Sequence, residues 1–545
     1  MDDKLLLSIL LAAAGFFVAL QGLRFLVSVL QLRRLRFRPS ASFEQIAREA
    51  VPQDQRRLLD SAADALAALG FVYQQTWQAD SMAVFAEPEL RYFDLYFHAE
   101  QGAFAQVLIS EAPEPGRAVN CVFSTSTADA RYLTLNRCLH LHFPYPPSWH
   151  AADAQADSLA AVWAFHLQRL PAAPRLTEQT EASHFAAQES EMLAHWQSIG
   201  WLVPMRDGWR LTARGAWRFV RQVLAGNRRI AQLPALQNPE STEIRVLADR
   251  LAWAAQERSL RAMAAPLREK YLWFFISGAF GLGAFAWLTS WHSAGLLMAV
   301  LLFHEFGHAL AMRFLGYQQL GVLVLPFLGA VATGRKDDAG PWQRLLVLLA
   351  GPLPGLLLAA LLIGLDYARS GKPAWLIELL VMLVLLNWFN LLPLTPLDGG
   401  QIVDTFVFAR RPRLRFGFSL LSTVGLVLVG YYLESPFLAG AGILLGLAVP
   451  AAWRAIALQR GLPQGLDAEA ALTAALHKIH AGDAVCRPCA QRMQQVRGLL
   501  PVLRARAPRW TESLGGLAIY LAVFALPVFL AVSLPAFGQF FSRHF

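Results

Sequence analysis

Long apolar runs recur along this chain of 545 residues, and they restrict its fold more than its other features do. A helix spans the hydrocarbon core of a bilayer with about 20 predominantly apolar residues. With 55% hydrophobic and only 16% charged residues, the chain supplies eight such runs. We expect a mainly α-helical, polytopic membrane protein with spans near residues 5–24, 271–290, 294–313, 343–365, 374–393, 416–433, 436–452 and 513–534.

The placement of arginines predicts how the chain is oriented. Several arginines follow the first apolar run, and Lys and Arg accumulate on the cytoplasmic side of membrane helices. Since no small-residue cleavage site follows this run, residues 1–30 are expected to form an uncleaved signal anchor. Residues 31–270 then lie in the cytoplasm. The net charge of +9 predicts anionic lipid headgroups as partners.

One of the apolar runs contains a histidine motif, His304-Glu305-Phe306-Gly307-His308. Residues four apart on a helix share a face, so His304 and His308 can direct two imidazole nitrogens at one metal ion. Glu305 is placed to act as a base on water held by that metal. A charged residue in a membrane helix costs about 2.5–3.5 kcal/mol, which favours a functional role.

A second polar motif, Leu397-Asp398-Gly399-Gly400, follows a later apolar run. The predicted topology brings Asp398 to the same cytoplasmic depth as His304 and His308. Two histidines and a carboxylate make a three-ligand metal site with a fourth position for water or substrate. Two alternatives remain open: the histidines could be buried residues satisfied by neighbouring helices, and Asp398 could simply begin a turn.

Together these motifs resemble the site-2 protease family of intramembrane zinc metalloproteases. The resemblance rests on the histidine motif and on the stretch from Asn390 to Gly400, and it covers roughly 271–404. It implies an intramembrane zinc protease core of three helices over 271–404. In that core His304, His308 and Asp398 would bind zinc, Glu305 would be the catalytic acid and base, and Asn390 would hold substrate or polarise its carbonyl. Asn387, one turn earlier, is a weaker candidate for the same role and is expected instead to be a helix-packing residue.

The segment 321–329 is apolar, β-prone and bounded by glycines. It looks like the re-entrant β-hairpin of the same family, which could present a strand edge to an unwound substrate. A buried loop that packs the core is the alternative.

The remaining chain is divided by composition. Residues 31–185 read as a cytoplasmic α+β domain, and 186–268 as a basic helical and hairpin segment that loosely resembles half of a winged helix. Its arginines favour anionic lipid or another part of this protein as a partner over nucleic acid. Residues 405–455 are predicted to form an additional transmembrane hairpin, 456–511 a cytoplasmic segment, and 512–545 a final transmembrane helix and tail.

The 456–511 segment contains His477, His480, Cys486 and Cys489. Two histidines and two cysteines at this spacing could close a second, structural zinc site. Unliganded thiols at a helix end, or a redox pair, are the alternatives.

The sequence therefore predicts an intramembrane zinc metalloendopeptidase that cuts transmembrane or membrane-adjacent segments of protein substrates in signalling or clearance. The expected location is a bacterial inner membrane. A non-proteolytic membrane scaffold on the same fold is the first alternative, and a zinc-transporting or zinc-sensing protein is the second. The oligomeric state does not follow from the sequence.

Overall fold

The computed structural model describes most of the chain. The described residues are 21–22, 25–38, 41–80, 83–84, 90–109, 117–137, 144–172, 182–233, 236, 239–262, 267–325, 329–365, 373–409, 411–432, 442–443, 446, 453, 458, 461–481, 487–533 and 535–544. The chain divides into two compact units. A mixed unit comprises Val18–Ala264 and Leu472–Arg497, and a second, largely helical unit includes Ala265–Ala471 and Gly498–Phe545.

The mixed unit contains all of the described strands before residue 264. They are β1 (Arg36–Phe37), β2 (Phe43–Ile46), β3 (Val72–Asp80), β4 (Ala83–Val84), β5 (Leu90–His98), β6 (Ala103–Ile109), β7 (Val119–Ser126), β8 (Arg131–Leu135), β9 (Trp149–Asp153), β10 (Leu202–Met205) and β11 (Gly208–Leu211). Its α-helices in the same stretch are α1 (Gln53–Asp60), α2 (Ala63–Ala68), α3 (Leu159–Arg169), α4 (Ala182–Ser198), α5 (Ala213–Gln232) and α6 (Thr242–Ala262).

Seven of these strands form one sheet in the order β2-β3-β5-β6-β7-β8-β9. Neighbouring strands are antiparallel except for β8 and β9, which are parallel. Apolar residues of β6 and β7 alternate towards a core that Leu58 of α1, Leu66 of α2 and Trp163 of α3 complete. The predicted α+β region is therefore confirmed, whereas its cytoplasmic location stays a prediction.

A smaller sheet has the order β10-β11-β1-β4. The hairpin of β10 and β11 pairs with β1, so the basic segment predicted from residue 186 onwards shares a sheet with residues 36–37 and 83–84. Phe37, Trp196 and Trp201 fill the core beside this sheet.

The second unit is built mainly from apolar helices. They are α7 (Leu267–Leu288), α8 (Trp291–Phe314), α9 (Pro341–Ala350), α10 (Pro352–Leu365), α11 (Ala374–Asn390), α12 (Asp398–Val403) and α13 (Pro412–Tyr432). Strands β12 (Gln318–Leu325) and β13 (Gly329–Arg335) form an antiparallel pair. The last helices of this unit are α16 (Trp510–Ser533) and α17 (Pro535–His544), whereas α14 (Ala468–His480) and α15 (Cys489–Arg504) lie mostly in the mixed unit.

Within the described residues, three helices are long and apolar enough to cross a membrane: Trp291–Phe314, Arg413–Tyr432 and Trp510–Ser533. A fourth crossing exists if the bent pair α9 and α10 counts as one span. These match the predictions near 294–313, 416–433, 513–534 and 343–365.

Two further predicted spans correspond to shorter apolar helices, Phe274–Trp287 and Ala374–Asn390. The predicted signal anchor near 5–24 and nearly all of the run near 436–452 lie outside the described residues. The predicted number of eight spans therefore stays a prediction.

Between α8 and α9 the chain forms the expected hairpin. β12 and β13 pair from Gln318 and Arg335 to Leu325 and Gly329, with an irregularity between Gln318 and Gly321. Whether this hairpin re-enters a membrane stays a prediction.

Candidate metal centre

The histidine motif lies in the second half of α8. Ser290 caps the start of this helix, where its hydroxyl oxygen accepts the backbone N–H of Ser293 at 3.0 Å. His304, Glu305 and His308 are 2%, 8% and 7% exposed. Three polar side chains this deep in an apolar helix need polar partners close by.

Asp398 is the first residue of α12 and is 8% exposed. The chain reaches it through a tight turn after α11. At Gly399 a Cβ would collide with the carbonyl of Leu391, so the turn can fold back this closely only without a side chain there. The Asp-Gly-Gly sequence thus makes a turn, which the sequence analysis gave as the alternative to a metal ligand. The same turn directs the carboxylate towards α8.

Three side-chain atoms converge between α8 and α12. Nε2 of His304 and Nε2 of His308 are 3.1 Å apart, and each is 3.2 Å from Oδ2 of Asp398. Ligands held at about 2.0–2.1 Å by a tetrahedral zinc ion lie roughly 3.3 Å from one another. Among the residues that the structure describes, this is the only group of three or more His, Cys, Asp or Glu side chains close enough to hold a metal ion.

The hydrogen bonds on the far side of each ring fix the tautomers. Nδ1 of His304 lies 2.8 Å from Oδ1 of Asn387, and Nδ1 of His308 lies 2.7 Å from the carbonyl oxygen of Val347. Both partners are acceptors, so both Nδ1 atoms carry the proton and donate it. Each ring, when neutral, then presents an Nε2 lone pair beside a carboxylate oxygen, and three such electron-pair donors this close together suit a metal cation. The residues present therefore fit zinc.

Asn387, which the sequence interpretation placed below Asn390 and expected to be a helix-packing residue, contacts His304. It is 1% exposed, and its amide nitrogen donates to the carbonyl of Leu383 at 2.7 Å, which leaves Oδ1 for His304. Asn390, favoured from the family resemblance, donates to the carbonyl of Leu386 at 3.2 Å. The usual demand of a metal-bound histidine for an acceptor on its second nitrogen could have singled out Asn387.

Glu305 lies beside the three converging atoms and contacts the hairpin. Its Oε2 accepts the backbone N–H of Ala332, in β13, at 2.5 Å. Strand β13 therefore holds the carboxylate in place. No described residue forms a hydrogen bond or ion pair with the other oxygen, Oε1.

Gly351, between α9 and α10, borders the same space. A Cβ at this position would collide with Nε2 of His308 and approach Nε2 of His304 to 2.9 Å. The backbone at Gly351 therefore forms one wall of the metal centre, and a side chain there would compete with the ion.

The structure does not support the second zinc site. His480 is buried and uses both ring nitrogens, Nδ1 towards Arg245 at 3.1 Å and Nε2 towards Asp249 at 2.8 Å. His477 is exposed, and Cys489 is a buried free thiol. Cys486 lies outside the described residues. The physical reason for the error is that His480 belongs to a buried ion-pair cluster whose partners are far away in the sequence.

The part of the chain that contains the histidine motif is similar to a known protein family. Residues 293–374, which include the histidine motif, match the family model described as Peptidase family M50. The chain carries a peptidase family M50 domain. This confirms the resemblance to site-2 zinc proteases that the two motifs predicted.

Curated relatives of the M50 domain bear consistent names. The Putative zinc metalloprotease sll0528 of Synechocystis sp. is 32% identical over 146 residues, 26% of this chain and 38% of the relative. The Putative zinc metalloprotease Rip3 of Mycobacterium tuberculosis is 35% identical over 130 residues, 23% of this chain and 33% of the relative. The chain thus spans well under half the length of either curated relative.

A solved structure, the Site-2 Protease from Methanocaldococcus jannaschii, aligns with 33% of this chain and 87% of its own at 19% identity. The TM-score is 0.26, a likeness too small to establish a common fold.

Proposed function

We propose that this protein is an intramembrane zinc metalloendopeptidase that cleaves transmembrane or membrane-adjacent segments of other proteins. The observation that carries the proposal is the convergence of His304 Nε2, His308 Nε2 and Asp398 Oδ2, 3.1–3.2 Å apart, beside Glu305. The M50 domain and the names of its relatives support the same activity.

His304, His308 and Asp398 hold the ion in this proposal. Zinc, when bound, supplies a Lewis acid that polarises a peptide carbonyl and makes water a nucleophile near neutral pH. Asn387 and the Val347 carbonyl keep the two rings oriented, so that no reorganisation is needed when the ion binds.

Glu305 moves the proton. Ala332 fixes Oε2, and Oε1 is the oxygen that accepts a proton from the attacking water. As the C–N bond of the peptide breaks, the same carboxyl group returns the proton to the leaving amine nitrogen. A glutamine at 305 keeps the shape of the side chain but cannot carry out either transfer.

The substrate must unwind before attack, because a helix hides its carbonyls in internal hydrogen bonds. The paired strands β12 and β13 lie at the carboxylate of Glu305, and an unwound segment adding to a strand edge there would align its carbonyl with the site. Asn390 would hold or polarise that carbonyl, the role that the family resemblance implies.

The test combines metal content with cleavage by the full chain in detergent. The probe is a fluorescent single-span membrane protein whose helix carries glycine and proline near its centre. We expect one equivalent of zinc and cleavage for the wild type, neither for His304→Ala combined with His308→Ala, and zinc without cleavage for Glu305→Gln.

Full zinc content in the double histidine variant would refute the metal centre. Cleavage by Glu305→Gln would refute the role of that carboxylate. If the wild type binds zinc at this centre yet leaves single-span proteins intact across a panel of helix sequences, the scaffold alternative is favoured.

A further inference from the structure

Helix α5 in the mixed unit carries a stripe of exposed residues that the protease proposal does not use. The helix begins at the cap Thr212, whose hydroxyl oxygen accepts the N–H of Gly215 at 2.9 Å. One face is buried, including Ala216, Val220 and Ile230. The opposite face is exposed at positions three and four residues apart, which share one side of a helix. These positions, the α5 stripe, are Arg214, Trp217, Arg221, Leu224 and Arg228.

The α5 stripe alternates cationic and large apolar side chains. Trp217 is 43% exposed and Leu224 is 46% exposed. They are not needed to form the apolar core beneath the helix, because other residues on its buried face already pack there. Arg221 stacks over the Trp217 ring at 5.0 Å. Arg214, Arg221 and Arg228 form no ion pair with any residue that the structure describes. Three arginines that form no ion pair with the described residues therefore lie on the surface beside two exposed apolar side chains.

Neighbouring surfaces continue this pattern. At the turn of the adjacent hairpin, Met205 is 41% exposed and Arg206 is exposed. Phe25 packs edge-on against Trp217 with ring centroids 6.2 Å apart. Its helical neighbour Leu26 is 46% exposed. Phe25 directly follows the apolar run 5–24, which the sequence predicts to be a membrane anchor. The α5 stripe thus contacts the chain at the point where it is expected to leave the bilayer.

This combination matches the interface of an anionic membrane. Helices that lie on a bilayer carry arginine or lysine on the polar side, and tryptophan and leucine where they meet the acyl boundary. Tryptophan concentrates at the headgroup level, and basic residues near an anionic surface are attracted to it. A helix that binds nucleic acid has no comparable use for an exposed leucine between its arginines.

We propose that the α5 stripe lies on the headgroups of an anionic bilayer, with Trp217 and Leu224 inserted and the three arginines bound to lipid phosphates. This contact would hold the mixed unit against the membrane surface through α5 as well as through the chain at Phe25. The inference is independent of the proposed protease activity.

The test uses the full chain in nanodiscs of phosphatidylcholine, alone or mixed equally with phosphatidylglycerol. A polarity-sensitive fluorescent amino acid is incorporated at Leu224 and, as the matched control, at Val72, which is 64% exposed in the same unit. In the anionic discs we expect blue-shifted emission at 224 and quenching by headgroup spin labels. At 72 we expect emission typical of water. Replacing Arg214, Arg221 and Arg228 by Glu should abolish the quenching at 224.

Three outcomes would overturn the inference. Emission at 224 as water-like as at 72 in both kinds of disc would show that the α5 stripe stays in solvent. A blue shift without lipid quenching would show that another part of the protein covers it. A shift that needs added duplex DNA and not anionic lipid would make it a nucleic-acid surface.

Discussion

Asn387 accepts the Nδ1–H of His304 at 2.8 Å, across 83 residues of sequence. The same amide donates to the carbonyl of Leu383, so its oxygen can point only towards the histidine. This single contact fixes which nitrogen of His304 is free to bind a metal ion. The orientation of the His304 ring on α8 therefore depends on this residue of α11.

Asn387→Ala should weaken zinc binding by roughly 10–100-fold, the usual loss when the partner of a metal-binding histidine is removed. Zinc affinity is measured by competition with a chromogenic chelator. Asn390→Ala is the matched control, because its amide nitrogen bonds only to Leu386 among the described contacts. Equal affinities for the two variants would contradict the orienting role of Asn387.

Gly351→Ala should lower zinc content while the protein stays folded. The new Cβ would occupy space beside Nε2 of His304 and Nε2 of His308. Gly364→Ala provides the control, since no atom lies within 4 Å of a Cβ placed there. Metal content and thermal stability are compared for both variants. A Gly351→Ala protein with wild-type zinc content would contradict this prediction. It would show that the backbone at residue 351 or the two histidines can shift to make room for a methyl group.

Asp249→Asn should destabilise the docking of residues 472–497 in the mixed unit. Asp249 is fully buried and accepts two hydrogen bonds from Arg492 at 2.7 Å and one from His480 at 2.8 Å. Breaking a buried pair by removing one charge costs about 3–5 kcal/mol. Hydrogen exchange should therefore become more than a hundredfold faster in the backbone of 489–497.

The control is Glu257→Gln, which alters an ion pair with Arg497 between the same two helices, at 3.4 Å and partly exposed. An exposed pair contributes about 0–1 kcal/mol, so exchange should change little. Similar effects of the two variants would mean that burial does not set the strength of the Asp249 cluster.

The same cluster should resist acid. Burial alone would raise the pKa of Asp249, but the Arg492 guanidinium and the His480 hydrogen bond outweigh it and hold that pKa below its usual 3.8. A carboxylate with a lowered pKa stabilises the fold above its unfolded pKa, and the contribution is lost as the pH falls through the folded pKa. Exchange protection of 489–497 should therefore persist to about pH 3.8 and decline below it, with no such decline in Asp249→Asn.

Cys489 should be unreactive in the folded protein. Burial raises the pKa of its thiol to about 12, and only the thiolate is nucleophilic. Iodoacetamide at neutral pH, followed by peptide mass spectrometry, should leave Cys489 unmodified until denaturant is added. Rapid native labelling of Cys489 would revive the redox-pair interpretation.

Much of the largely helical unit follows from sequence because its signals are local. Apolar runs predicted α8, α13 and α16, and the four-residue spacing of His304 and His308 predicted their shared face. Asp398 was found because a carboxylate after an apolar helix is costly without a partner.

What the sequence did not reveal depends on contacts between distant residues. The acceptor for His304 is on another helix, and both Asn387 and Asn390 are polar residues in an apolar run. His480 and Asp249 are 231 residues apart, so the sequence did not show that they pair. The histidines near the cysteines suggested a metal site, whereas the ring of His480 is hydrogen-bonded to this aspartate. Periodicity identifies a buried face but not the residue that packs against it.

The buried cluster of Asp249, His480 and Arg492 also determines when the mixed unit can finish folding during synthesis of the chain. Arg492 is made 243 residues after Asp249, and the M50 domain lies between them in the chain. The ribosome therefore completes the metal-binding segments while Asp249 is still without its two partners. The mixed unit can close only after the apolar helices α7 to α13 have left the ribosome, so its final folding step comes later than the synthesis of these helices.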